Sequence, residues 1–111
     1  MEGKMKANDL FKDLGLKRNI NTNTFLAYLF ETDYDKLYVE FDLVLKRYGI
    51  FSERFIDRND ANFIPMEERP QNIKHSCAYG YWEVDNYKVI DMKLHNAIHQ
   101  QLIELGWIKE I

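Results

Sequence analysis

Apolar residues recur at helical spacing at both ends of the chain. Leu94, Ala97, Ile98, Gln101, Leu102 and Leu105 fall at i, i+3, i+4, i+7, i+8 and i+11. That is one face of an α-helix, with Asp91 placed as its N-cap. Gly106 follows the last periodic residue and Trp107 comes next. This order predicts a Schellman stop, with Gly106 at φ > 0 and Trp107 packed back on Leu102. Residues 6–14 repeat the design at shorter length. Leu10, Phe11 and Leu14 share a side, and Gly15 with Leu16 supplies the stop.

Between these helices the pattern changes to strands. The Asn- and Thr-rich stretch 17–24 predicts a loop or an edge leading into a strand at Phe25–Phe30, with a turn over Glu31–Asp35. Residues 36–48 fit two periods. With period two, Leu37, Val39, Phe41, Leu43 and Leu45 face inward, and Tyr38, Glu40, Asp42 and Lys46 face outward. With period 3.6, Leu37, Phe41, Val44, Leu45 and Tyr48 form a stripe that Gly49 would cap. The cleaner alternation and the β-branched and aromatic content favour the strand. A hairpin tip near Arg47–Gly49 then leads into a strand at Ile50–Ile56.

Asp57–Lys74 holds both prolines, Pro65 and Pro70, and reads as a long connection tacked down by Phe63, Ile64 and Met66. His75–Val84 predicts a further strand, Asp85-Asn86 a turn, and Tyr87–Ile90 a short partner strand. The sum is an α+β domain spanning 1–111: an antiparallel sheet of four to five strands flanked by N-terminal and C-terminal helices.

Composition narrows the setting. The 111 residues suit one core, and 46% hydrophobic content with 14% aromatics is enough to fill it. A net charge of −3 argues mildly against non-specific nucleic-acid binding, which needs a basic surface. Cys77 is the one cysteine, so no intrachain disulfide forms and a reducing cytoplasm is expected. No apolar h-region follows the first residues, and no apolar run is long enough to span a membrane.

The chain offers several constellations for chemistry, and each has a plainer reading. His75, Cys77, His95 and His99 have strand and helix spacings that suit a tetrahedral zinc. However, the pair of closely spaced cysteines usual in such sites is absent, so no metal or other cofactor is expected. A Cys–His nucleophilic pair lacks an orienting third group. Asp57-Arg-Asn-Asp-Ala-Asn62 resembles a calcium loop, but Ala61 and Asn62 occupy the fifth and sixth positions and the pattern fails. Glu31, Asp33, Asp35, Glu40 and Asp42, with Lys36 against them, read as a solvated acidic face. Tyr79-Gly-Tyr-Trp82 could stack bases from an open sheet, though few basic residues lie near it. Met92, His95, His99 and Ile103 form a second stripe on the last helix, opposite the core stripe, and suit a contact surface. No catalytic residue is expected.

Ala7-Asn-Asp-Leu-Phe-Lys-Asp-Leu-Gly15, Tyr38-Val-Glu-Phe41 and Ala97-Ile-His-Gln-Gln-Leu-Ile-Glu-Leu-Gly-Trp107 carry a family resemblance. In these segments the chain resembles small uncharacterised proteins encoded by phages and prophages of Gram-positive bacteria. The stretch from about Arg58 to Asp85 lies outside it. The resemblance implies a mobile-element origin and a cytoplasmic setting in a bacterial host, and it carries over no active-site residue. The expected function is that of a non-enzymatic accessory protein binding a host or phage protein. The expected interaction surface is drawn from Met92, His95, His99, Ile103, Tyr79, Tyr81 and Trp82. A homodimer through the helix stripe is a further partner to test. The alternative is a single-stranded nucleic-acid-associated module using the Tyr79–Trp82 strand. A membrane partner is not expected.

Overall fold

A computed structural model describes residues 5–69, 79–85 and 90–110. Helix α1 (Ala7–Asp13) leads into five antiparallel strands, and helix α2 (Met92–Glu104) closes the chain. The strands are β1 (Lys17–Asn21), β2 (Phe25–Glu31), β3 (Asp35–Asp42), β4 (Arg47–Asp57) and β5 (Gly80–Asp85), and they pair in sequence order as a meander. The fold is α+β, as the periodicities predict.

Both helices end in the same way. Gly15 and Gly106 sit at φ 87° and 76°. The N–H of Leu16 bonds the carbonyl of Phe11, and that of Trp107 bonds the carbonyl of Leu102. Gly15 and Gly106 close the inner bonds to Lys12 and Ile103. These are the two bonds of a Schellman motif. Asp91 caps α2, its carboxylate accepting the N–H of Leu94. Helix α1 has no cap from its own N-cap residue, Lys6. Instead, the Glu104 carboxylate at the end of α2 accepts the Ala7 N–H at 2.7 Å, so one helix completes the other.

The hairpin turns are built by side chains that accept backbone N–H groups two and three residues ahead. Thr22 serves Thr24 and Phe25, Thr32 serves Tyr34 and Asp35, and Asp42 serves Val44 and Leu45. The third turn corrects the expected strand boundary. β3 ends at Asp42, residues 43–46 turn with Lys46 at φ 54°, and Arg47–Gly49 already belong to β4. Leu45, expected inward, is 60% exposed. The alternation runs on through the turn by sequence alone, whereas Asp42 stops the ladder by drawing the Val44 and Leu45 N–H groups to itself. At the start of the sheet, the polar stretch after Leu16 forms an edge strand, exposed along its whole length.

Helices pack on one face only. Ala7, Phe11, Leu16, Leu94, Ala97 and Ile98 meet Leu26, Tyr28, Val39 and Phe41 in a single buried cluster. Phe11 stacks on Tyr28 with ring centroids 3.9 Å apart. The far ends of β4 and β5 extend past the helices, where Ile56 and Tyr81 are buried under the connection after β4, together with Arg69 of that connection. The result is elongated, 56 × 27 × 21 Å, with a radius of gyration of 16.8 Å. A compact chain of similar length has about 13 Å. The expected strand His75–Val84 is described from Gly80 onward, and residues 70–78 lie outside the described residues. Asp85 of the expected Asp85-Asn86 turn ends β5, residues 86–89 with most of the expected Tyr87–Ile90 strand lie outside the described residues, and Ile90 itself is not in a strand.

Candidate functional site

With the helices on one side, the register assigns the other side of the sheet a series of cross-strand rows. Moving along the strands, these are Phe25–Asp42–Arg47, Ala27–Glu40–Gly49, Leu29–Tyr38–Phe51, Glu31–Lys36–Glu53–Val84 and Phe55–Trp82. No element packs over them among the described residues. The half-buried aromatic rings cover one another instead. Tyr38 stacks on Phe51 at 4.5 Å, Phe55 meets Trp82 edge-on at 5.4 Å, and the Lys36 ammonium lies 4.3 Å from the Trp82 ring centre. A two-layer fold that leaves such rows uncovered presents an apolar face of the kind used in contacts.

The polar groups on this face are mainly acidic. Glu31, Glu40, Asp42 and Glu53 outnumber Lys36 and Arg47. The Tyr38 hydroxyl donates to Glu53 at 2.9 Å. Burial, that hydrogen bond and the surrounding carboxylates push its pKa up to about 12. The Asp42 carboxyl is held below its ordinary value, first by the Leu45 N–H, then by Val44 and by Arg47, which lies 3.3 Å away. Glu40 is different: burial raises its pKa. Among the described residues no hydrogen bond or ion pair reaches its side chain. Glu40 lines an open cleft of about 270 Å³ with Phe25, Asp42, Arg47, Tyr48 and Gly49.

The expected surface residues are spread over three places. Met92, His95 and His99 are exposed on the outer side of α2, and Ile103 is half-buried. The two imidazoles lie 6.3 Å apart. Tyr79 precedes β5 and is exposed beneath the Arg58 guanidinium, 5.0 Å from its ring centre. Trp82 belongs to the open face. Tyr81 departs from the expectation: it is fully buried, and its hydroxyl accepts the Ile64 N–H and donates to the Asn62 carbonyl. Period-two alternation in β5 sends Tyr81 and Trp82 to opposite faces, and Tyr79 is exposed ahead of the strand, so the three form no common stacking platform.

The remaining constellations resolve into local structure where they are described. Asp57 and Asp60 accept the N–H groups of Asn59 and Asn62, which makes 57–62 a polar turn. His75 and Cys77 lie outside the described residues, and among those described no three potential ligands come together. Of the acidic set, Asp33 belongs to a turn and Asp35 faces Arg54 across β3 and β4. Glu40 and Asp42 are on the open face.

The uncovered rows carried a signal in the sequence. Phe25–Phe30 is apolar at every position, which implies a strand with apolar groups on both faces. Phe51 and Phe55 fall at the outward phase of β4. Glu40 is also outward, but nothing in the sequence sets it apart from its solvated neighbours.

Among the described residues no helix is long and apolar enough to cross a membrane. Comparison with protein-family models, with curated proteins and with solved structures finds no match.

Proposed function

We propose that this chain is a non-enzymatic accessory protein, of the phage or prophage kind its terminal segments resemble, and that it acts by binding another protein. The carrying observation is that helices cover one face of the sheet while the other holds Tyr38, Phe51, Phe55 and Trp82 in rows that no element among the described residues covers. This moves the preferred contact surface from the outer stripe of α2 to the sheet. The stripe offers exposed Met92 and two imidazoles, with Ile103 half-buried.

The test is affinity capture from a bacterial host using a tagged copy and two variants. Phe51→Lys/Trp82→Lys disrupts the open face, and Met92→Glu/His95→Glu disrupts the α2 stripe. The first should lose a stoichiometric protein partner that the second retains, with both variants folded by circular dichroism. The reverse pattern would place the contact on α2.

Cations over Tyr79 and Trp82 favour a second reading, a single-stranded nucleic-acid-associated module. The carboxylates among the rows oppose it. Salt-dependent retention on single-stranded DNA, lost on Trp82→Ala, would support that reading over protein binding.

A further inference from the structure

The cleft beside Glu40 owes its depth to one residue. Gly49 faces Glu40 across β3 and β4, and a β-carbon built on Gly49 would meet no atom within 4 Å. Its backbone has no positive φ, so a left-handed turn is not what requires glycine here. The missing side chain leaves open the space above a half-buried carboxylate. Phe25, two residues before Ala27 in β2, supplies an aromatic wall, and the Asp42–Arg47 ion pair forms the rim.

Charge and size say what fits. Asp42 already holds Arg47, so the cleft retains one carboxylate, Glu40, with no partner of its own among the described residues. The cleft of about 270 Å³ falls below the roughly 300 Å³ at which pockets for whole small molecules begin. It suits a single side chain. A partly desolvated carboxylate next to a ring favours guanidinium over ammonium. Guanidinium is planar and more weakly hydrated, it can engage a carboxylate through two N–H groups, and it stacks on aromatic faces.

We infer that the Phe25–Glu40–Gly49 cleft is an arginine-binding site, which seats one arginine side chain of the protein that docks on the open face. This rests on the protein-binding reading and gives the partner its chemistry: an arginine flanked by apolar residues that lie on the neighbouring rows, Leu29–Tyr38–Phe51 in particular. The guanidinium bonds the Glu40 carboxylate, and the stem of the arginine passes over Gly49.

The probe is the blocked peptide acetyl-Leu-Arg-Leu-amide, titrated into the ¹⁵N-labelled full chain. Its citrulline counterpart has nearly the same shape without the charge. The arginine peptide should give saturable shifts at the amides of Phe25, Glu40 and Gly49, and the citrulline peptide should bind about tenfold more weakly. Glu40→Gln should weaken binding to a similar degree. Gly49→Val should abolish it by filling the cleft, in a strand position that tolerates valine. Equal binding of the two peptides, shifts that map elsewhere, or unchanged binding to Glu40→Gln would overturn the site. Repeating the affinity capture with Glu40→Gln separates the two readings. A partner lost on Phe51→Lys/Trp82→Lys but fully kept by Glu40→Gln overturns the arginine site and leaves the open-face reading standing. Arginine-peptide shifts at the cleft, with capture indifferent to both variants, would show a cleft selective for guanidinium but overturn both the open-face reading and a docked protein as the source of the arginine.

Discussion

The hydroxyl of Tyr28 in β2 donates to the side-chain carbonyl of Gln101 in α2, 73 residues along the chain. Both side chains are buried, and the same hydroxyl accepts from Arg18 at 2.8 Å on the edge strand. One oxygen therefore ties the last helix, the second strand and the sheet edge together inside an apolar cluster. Tyr28→Phe keeps the stacking on Phe11 but leaves the Gln101 carbonyl and one Arg18 N–H without this partner. We expect a loss of about 1–3 kcal/mol in urea unfolding. Gln101→Leu should partly relieve the Tyr28→Phe defect, because replacing both polar groups removes the unsatisfied one. A double variant no better than the sum of the singles would show that the bond contributes little.

The two Schellman glycines share a conformation but not an environment. A β-carbon on Gly106 would meet nothing within 4 Å, whereas one on Gly15 would come within 3.1–3.3 Å of the Phe30 ring. Gly106→Ala should cost about 1–2 kcal/mol from backbone strain alone. Gly15→Ala should cost more, since strain and crowding add. Thermal unfolding of the two variants side by side tests this, and equal losses would mean that Phe30 yields freely.

Those helix stops were legible in the sequence because they rest on local chemistry: glycine after the last periodic residue, then an apolar residue to fold back. The Asp91 cap was legible for the same reason. Leu45 escapes the period-two pattern because alternation has no marker for its own end, and the element that ends it is the Asp42 side chain reaching forward to the turn. The burial of Tyr81 is not legible in the sequence because it depends on residues 62–69 folding over it, a contact no spacing reveals. The sequence pattern places Glu40 on a solvated face for a related reason. Its burial comes from the neighbouring strands, and the room beside it comes from Gly49, nine residues ahead and paired only once the hairpin closes.

Gly80 is required by a close approach. A β-carbon there would fall 2.2 Å from the Phe55 ring and 2.8 Å from the Ile56 carbonyl oxygen. The ring could turn aside only by giving up its edge-on contact with Trp82, and the backbone carbonyl cannot move without breaking the ladder. Gly80→Ala should therefore destabilise by several times the roughly 0.5 kcal/mol typical of surface changes. It should also shift the tryptophan fluorescence of the folded state. Gly49→Ala, in the same sheet with open space around it, should do neither and is the control.

Glu40 and Asp42 sit two residues apart on one face and should respond to acid in opposite directions. Asp42 is lowered in the fold, so its contribution is present above its unfolded value, near 3.8, and is lost as pH falls through the folded value. Glu40 is raised by burial. Its contribution is fully present below its unfolded value, near 4.5, and is lost as pH rises through the folded one, because the ionised form is better solvated in the unfolded chain. At neutral pH the Glu40 carboxylate therefore works against folding. Glu40→Gln should raise the thermal midpoint at pH 7, and the gain should shrink as pH drops below 4.5, where the wild-type carboxyl is itself neutral. Adding the arginine peptide to the wild type at pH 7 should recover stability by giving the carboxylate a counter-ion, and the variant should show no such gain. A midpoint for Glu40→Gln that stays below the wild type across this range would mean that Glu40 is stabilised in the fold, and that the cleft holds no unmet charge for an arginine to answer.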